Sequence, residues 1–202
     1  MVTKIGGYDP KSVGEDMNLV MRLHEYHIDN DLPYAIRYAP DAICWTQVPF
    51  TFRDVGKQRA RWHRGLIQVM WQHRNFFLNA KYGFVSLVSF MYFFLYEALA
   101  PIVELLGILI IIYSIVTQTL NWPFFIAITA IYTVFNMMQT QTFYFSNFLI
   151  SNFNRYRWDY LRVLFISLKE LIIFRPYLFM VRLYAAITYK ARLHKWTKIT
   201  RE

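Results

Sequence analysis

The sequence predicts a mainly α membrane protein that begins with a small α/β domain. Hydrophobic residues make up 56% of the 202 residues, against roughly 45–50% in ordinary soluble domains, and they are concentrated after Tyr82. Before that point the chain reads as a helix, two short extended segments and a second helix. The chain is also basic, with 22 Lys and Arg against 13 Asp and Glu.

The first helix is predicted from residue 15 to about residue 28, because apolar residues recur there at helical spacing. Ser12 and Glu15 have the spacing of a capping box at its start. Asp16 then lies in the first turn, where the helix dipole favours a carboxylate. A helix-start acid is therefore one explanation of Asp16, and a catalytic acid is the other.

Two short strands are predicted over residues 34–38 and 42–47, with turn chemistry at Ala39-Pro40-Asp41 between them. A helix followed by strand, turn and strand indicates an α/β domain. The single cysteine, Cys44, excludes an internal disulfide and leaves too few thiolates for a structural zinc site. We expect it to be a small buried apolar residue.

A long basic helix is predicted from residue 52 to about residue 77, with Gln58, Arg61 and Trp62 on one side. Such a helix is also compatible with a solvated face or with binding to anionic lipid. A nucleic-acid contact is not expected, since no recognised nucleic-acid module surrounds it and apolar sequence follows.

The apolar half is predicted to hold an interfacial piece over residues 84–96, a bend at Pro101, and two transmembrane helices over about 99–117 and 123–148. Basic residues follow the second span and recur in the tail, so both termini are expected on the cytoplasmic side. Residues 160–187 carry charges that are costly inside a bilayer and are interpreted as interfacial amphipathic helices. The chain thus divides into residues 1–80, a membrane region over 81–150, and a cytoplasmic and interfacial part over 151–202.

Asp16, Arg61 and Trp62 each have a use in sugar chemistry. An aspartate can take the proton of an attacking hydroxyl. The arginine fork suits the oxygens of a pyrophosphate leaving group, and the tryptophan face can carry a sugar ring. Histidines occur in pairs at His24 and His27, and at His63 and His73. They are interpreted as ordinary residues on polar helix faces, because no acid or cysteine completes a metal set at ligand spacing.

Three motifs resemble the C-terminal half of membrane-embedded, inverting family-2 glycosyltransferases, the group of cellulose, chitin, hyaluronan and poly-N-acetylglucosamine synthases. They are Gly14-Glu15-Asp16, Cys44-Trp45-Thr46 with Val48-Pro49, and Gln58-Arg59-x-Arg61-Trp62-x-Arg64-Gly65. The resemblance implies that residues 1–80 are a remnant of a GT-A type domain. It also implies that Asp16 is the general base with Glu15 in support, and that Gln58, Arg61 and Trp62 bind the acceptor and pyrophosphate.

Members of this family have a donor-binding half, in which an Asp-x-Asp holds a divalent cation, Mg or Mn. This chain is expected to lack that half, so the ligands of the cation are not expected in it. Asp29-Asn30-Asp31 has the Asp-x-Asp pattern, but it follows Glu15-Asp16, whereas in the family it comes well before that motif. It is therefore interpreted as a chance match. The expected partners are a nucleotide-sugar donor, a glycan or lipid acceptor, the lipid bilayer, and the missing half or a second chain. On this hypothesis the chain alone is an inactive fragment. The alternative is a non-catalytic membrane protein whose basic helix binds anionic lipid or an acidic partner.

Overall fold

The computed structural model describes residues 2–37, 39, 42, 44, 46–151 and 158–192. Contacts divide the chain into a first unit, Met1–Val103 with Val181–Glu202, and a second unit, Glu104–Met180. Seven α-helices lie in the described part: α1 (Glu15–Asp29), α2 (Phe52–Gln72), α3 (Ala100–Val116), α4 (Trp122–Ser151), α5 (Trp158–Lys169), α6 (Arg175–Ile187) and α7 (Tyr189–Arg192). Short 3₁₀ and π-helical pieces precede α1 or lie between the α-helices: Val2–Ile5, Arg74–Phe76, Ala80–Tyr82, Val85–Phe90, Phe93–Ala98 and Glu170–Phe174.

Helix α1 begins at Glu15 as predicted, but the predicted capping box is wrong. The N-cap residue is Gly14, and no side chain caps the helix. Ser12 is buried instead, with a hydroxyl that has no hydrogen-bond partner. The physical reason lies in α2, whose Gln68 binds the backbone on both sides of Ser12 and so holds this loop away from the helix start.

Helix α2 begins at Phe52 as predicted and ends at Gln72, earlier than predicted. The hydroxyl of Thr51 accepts a hydrogen bond from the Asp54 backbone N–H at 3.1 Å, which caps the helix start. Asp54 in turn accepts a hydrogen bond from Lys57 Nζ at 2.8 Å. At the other end His73 is the C-cap, and it turns towards α1.

The hydrophobic core of the first unit lies just beyond α2. Phe76, Tyr82 and Phe90 are buried together, and partly buried side chains pack around them: Met21, Ile28, Met70 and Val85. The rings of Phe76 and Tyr82 stack with centroids 3.9 Å apart. Lys81 and Asp29 form an ion pair at 2.8 Å, so the segment after α2 is tied to the end of α1.

The expected α/β fold is wrong for the part of the chain that is described, which contains helices and no strand. Residues 34–37, 39, 42, 44, 46 and 47 are irregular and almost all exposed. A strand needs a neighbour to complete its backbone hydrogen bonds, and the described residues provide none. Cys44 is exposed rather than buried, because its segment does not pack on the core. The other predicted strand and turn residues, Tyr38, Pro40, Asp41, Ile43 and Trp45, lie outside the described residues.

The expectation of two transmembrane helices is also wrong, since among the described residues no single helix is both long and apolar enough to cross a membrane. Helix α3 has 17 residues, or ~26 Å at 1.5 Å per residue, against a hydrocarbon layer of ~30 Å. Helix α4 is longer but carries polar side chains from Asn136 onwards, among them Gln139, Thr140, Gln141 and Thr142. One bent pair, Val85–Ala98 with Ala100–Val116, passes the same criteria together, with a 47° bend between its parts.

Two charged residues of the second unit, Glu170 and Arg175, have polar partners within it. Thr140 of α4 donates a hydrogen bond to Glu170 at 3.1 Å. Arg175 donates to the Tyr132 hydroxyl at 3.1 Å and lies 3.8 Å from Glu170. These polar contacts offset the cost of placing charges in an apolar segment. The helices expected over residues 160–187 are present as α5 and α6, and their interfacial position stays a prediction. Several charges used to predict the orientation lie outside the described residues: Arg155, Arg157, Lys195, Lys198 and Arg201.

Candidate active site

A pocket of about 360 Å³ in the first unit brings the two sequence motifs together. It is lined by Tyr8, Val13, Gly14, Glu15, Asp16, Met17, Arg61 and Trp62. Four of the five residues singled out in the sequence therefore line one pocket: Glu15, Asp16, Arg61 and Trp62. Gln58 is half-buried on α2 and does not line it.

Two glycines allow α1 and α2 to approach closely at this pocket. A Cβ atom at position 65 would lie 2.9 Å from Gly14 N and 3.0 Å from Gly14 Cα, and a Cβ at position 14 would lie 3.2 Å from the Gly65 carbonyl. Glycine within a helix costs about 1 kcal/mol relative to alanine. Its presence at position 65 is explained by this contact between backbones, which no other residue permits.

Gln68, one turn beyond Gly65, holds the loop that leads into α1. Its Oε1 accepts a hydrogen bond from Val13 N–H at 2.8 Å, and its Nε2 donates to Lys11 O at 3.1 Å. The Gln68 side chain is buried, so both hydrogen bonds are shielded from water. The amide thus fixes the position of Gly14-Glu15-Asp16 relative to α2.

Asp16 presents an exposed carboxylate at the pocket wall. Its Oδ1 accepts a hydrogen bond from the backbone N–H of Met17 at 2.8 Å, which restricts the rotation of the carboxylate. Glu15 is exposed beside it, and both acids lie in the first turn of α1. The positive end of the helix dipole stabilises negative charge there. The arrangement suits a carboxylate that accepts a proton from a bound hydroxyl.

Trp62 and Arg61, which follow one another on α2, also line this pocket. The guanidinium of Arg59 lies 4.8 Å from the centre of the Trp62 ring, a cation–π contact that braces the ring. Trp62 remains 47% exposed, and Arg61 is half-buried. The pocket therefore combines carboxylates, a guanidinium and an aromatic face.

Three histidines interpreted as polar-face residues are in fact buried: His27, His63 and His73. Burial, together with nearby Arg182, lowers the pKa of His63 to about 4. Burial also lowers the pKa of His73, although Glu25 opposes this effect. His73 Nδ1 lies 3.1 Å from Glu25 Oε2, and Nε2 lies 3.0 Å from Asn18 Oδ1, so His73 joins α2 to α1. The pattern of polar residues in the sequence did not distinguish these buried positions from solvated ones.

The residues present do not fit a divalent cation. Among the described residues, no group of three or more His, Cys, Asp or Glu side chains could hold a metal ion. The adjacent pair Glu15 and Asp16 lacks a third ligand of this kind. Asp29 is the last residue of α1, and its hydrogen bond with Lys81 lowers the pKa of its carboxyl group. It serves as a structural ion pair.

Sequence reasoning missed several contributors to this site. Tyr8, Val13 and Met17 line the pocket, and Gln68 holds the loop before α1. Gly65 was quoted as part of a motif, but its packing against Gly14 was not predicted. A glycine in a basic helix three residues after Trp62 was a usable signal, because an isolated helical glycine often marks close backbone packing.

Carboxylates, a guanidinium and an aromatic ring that line one pocket are the residue types that suit transfer of a sugar from an anionic leaving group. Residues 1–138 match the family described as Glycosyl transferase family group 2. The chain belongs to this family of glycosyltransferases, and the earlier resemblance to family 2 is confirmed at that level.

Curated relatives agree with this assignment. Over 96 residues the chain is 34% identical to the protein named "Probable glycosyltransferase YdaM" of Bacillus subtilis (strain 168). The aligned segment covers 48% of this chain and 21% of the relative. The chain is 33% identical over 98 residues to the poly-beta-1,6-N-acetyl-D-glucosamine synthase of Staphylococcus epidermidis, with the same coverage. The chain therefore spans about a fifth of the length of these relatives. No solved structure matches the chain significantly.

Proposed function

We propose that this chain supplies the catalytic base and the acceptor-binding side of an inverting glycosyltransferase that transfers sugar from a nucleotide-sugar to a glycan or lipid acceptor. One observation carries the proposal: Asp16 lines the same pocket as Arg61 and Trp62. A helix-start acid needs no such neighbours, whereas transfer of a glycosyl group uses all three residue types.

In the proposed reaction, the Asp16 carboxylate takes the proton of an acceptor hydroxyl while the hydroxyl oxygen forms a bond to the anomeric carbon of the donor. The bond from that carbon to the phosphate oxygen breaks, and its electron pair leaves on the nucleoside diphosphate. Attack from the face opposite the leaving group inverts the configuration. Arg61 offsets the charge that develops on the diphosphate. Asp16 then returns its proton to water, and Glu15 keeps the local field negative.

Binding of the donor is proposed to depend on residues other than those described here. The relatives are about five times as long as the matched segment, and the described residues do not fit a divalent cation. We therefore propose that the nucleotide-sugar and its cation are held by a donor-binding half, in the same polypeptide or a second chain. This chain without that half is expected to be inactive.

We further propose that the chain sits at the cell membrane, with residues 1–80 and the tail on the cytoplasmic side. Helix α3 exposes large apolar side chains along its length: Ile102, Val103, Leu106, Ile108, Leu109, Ile110, Ile112, Ile115 and Val116. A helix that is apolar all round is not stable in contact with water. The bent pair Val85–Ala98 with Ala100–Val116 is the candidate for the embedded element, as a re-entrant loop that enters and leaves the membrane on one side, and the basic tail supports the cytoplasmic orientation.

The test is the rate of sugar transfer by the complete enzyme carrying Asp16→Asn. Loss of a general base is expected to lower kcat by about 10²- to 10⁴-fold. Asp31→Asn is the matched control, since Asp31 is an exposed carboxylate outside the pocket, and it should leave kcat unchanged.

The outcome that contradicts the proposal also favours the alternative function. If Asp16→Asn retains full transfer and every cellular phenotype, Asp16 is a helix-start acid only. If charge reversal at the exposed Arg53 and Arg74 of the basic region abolishes membrane association at the same time, the chain is a lipid-binding or partner-binding protein. Arg64 does not suit that test, because it is buried and its reversal would disturb folding.

A further inference from the structure

Tyr8 is an exposed aromatic residue in the pocket wall. Its residue surface is 61% exposed, and it lines the same pocket as Trp62 and Asp16. An exposed tyrosine gains little from the fold around it, so its position in a pocket calls for a ligand that uses it.

The loop that carries Tyr8 is held rigidly by α1. Gly6 and Gly7 have φ angles of +82° and +70°, which other residues rarely adopt. Arg22 Nη1 donates a hydrogen bond to Gly7 O at 2.9 Å, and Nη2 donates to Ile5 O. These contacts bind the backbone immediately before Tyr8 to the helix that carries Asp16.

The loop is also fixed immediately after Tyr8. Asp9 Oδ1 accepts a hydrogen bond from Lys11 N–H at 2.9 Å, and Asp9 Oδ2 lies 3.5 Å from Asn18 Nδ2. The backbone of Tyr8 is thus anchored on both sides to α1 or its leading loop. A ligand that packs on the ring loses little free energy to ordering this backbone.

We propose that Tyr8 is a further acceptor-binding residue, whose ring packs on the same bound sugar as Trp62. The proposal rests on the proposed function and adds one residue to its acceptor side. A sugar ring has apolar C–H faces and a polar edge, which match two aromatic rings beside carboxylates and a guanidinium.

Direct binding by the full chain in detergent micelles tests this proposal without any transfer step. The probes are oligosaccharides of β-1,6-linked N-acetylglucosamine, of chitin and of cellulose, titrated by saturation-transfer NMR. Tyr8→Ala is expected to weaken binding about 10-fold, since a stacked ring contributes about 1.4 kcal/mol. Tyr8→Phe keeps the ring and should stay within about 2-fold of the wild type.

The controls separate a lost ring from a lost fold. Tyr8→Leu keeps apolar volume without an aromatic face and should bind as poorly as Tyr8→Ala. Tyr113→Ala removes an equally exposed tyrosine of α3 that does not line the pocket, and it should bind as the wild type does. Unchanged thermal unfolding of Tyr8→Leu would show that folding is retained.

Equal affinity of Tyr8→Ala and the wild type overturns the inference. It is also overturned if the wild-type chain binds none of the three oligosaccharides, or if it binds only a long-chain lipid phosphate. The proposed function is decided by a different result, the transfer rate of Asp16→Asn in the complete enzyme. A defect there with normal glycan binding by Tyr8→Ala would refute the role of Tyr8 alone.

Discussion

Gly65→Ala tests whether the contact between α1 and α2 builds the site. The new Cβ would lie 2.9 Å from Gly14 N, whereas ordinary contacts of such atoms begin at 3.4 Å. The two helices must therefore separate by about 0.5 Å, the difference between these distances. A misplacement of about 1 Å costs about 10²-fold in rate. We expect Gly65→Ala to lower kcat about 10-fold or more.

The stability of the same variant should change little, because two effects oppose each other. Alanine is favoured over glycine in a helix by about 1 kcal/mol, and overpacking costs about 1–3 kcal/mol. The net loss is then about 0–2 kcal/mol. A large loss of activity with little loss of stability is the expected signature, measured by transfer kinetics of the complete enzyme and by thermal unfolding.

Two further variants calibrate this result. Gly14→Ala places a Cβ at 3.2 Å from the Gly65 carbonyl, a milder contact, and should lower kcat less than Gly65→Ala does. Gly107→Ala lies in α3 where nothing approaches within 4 Å, and it should leave kcat unchanged. If Gly65→Ala is fully active and more stable than the wild type, the backbone contact does not position the site and the reasoning is refuted.

Two more predictions concern the residues around this contact. Gln68→Leu leaves Val13 N–H and Lys11 O without their buried partner, which should lower the free energy of unfolding by about 1–3 kcal/mol in chemical denaturation. An unfolding midpoint equal to that of the wild type would show that these two hydrogen bonds do not stabilise the loop. The folded-state pKa of His63, about 4, is below its unfolded value, so the unfolded chain binds more protons between pH 6.5 and 4. Stability should therefore rise with pH across this window and be lost as pH falls through it. His63→Gln should flatten the dependence of the melting temperature on pH there, and an unchanged slope would assign the effect to other groups.

Part of the pocket lining was predictable from the sequence, because it comes from two short motifs. Asp16, Arg61 and Trp62 were selected for what a carboxylate, a guanidinium and an indole can do, and the structure places them in one pocket. The starts of α1 and α2 also follow from local signals, the periodic apolar residues and the Thr51 cap. The catalytic roles of Asp16, Arg61 and Trp62, and any role of Gln58, stay predictions.

Tertiary contacts decided what local signals could not. Ser12 has capping chemistry, but Gln68 binds its neighbours and leaves its hydroxyl unused. Residues 42–47 have strand composition, yet those of them that the structure describes, 42, 44, 46 and 47, are irregular, because a strand forms only where another strand accepts its hydrogen bonds. The sequence around His73 is typical of a solvated helix face. Only the contacts of His73 with Asn18 and Glu25 reveal that it is buried.

The two contacts of His73 fix the rotation of α1 about its own axis. Asn18 and Glu25 are seven residues apart, close to two turns of helix, so a single ring can contact both only at one rotational setting. Because Glu15 and Asp16 lie in the first turn of α1, the rotation of the helix also sets the direction of their carboxylates. One residue inserted between Asn18 and Glu25 would turn the start of α1 by about 100° relative to its end. The length of this short helix is therefore as much a part of the active site as the acids it carries.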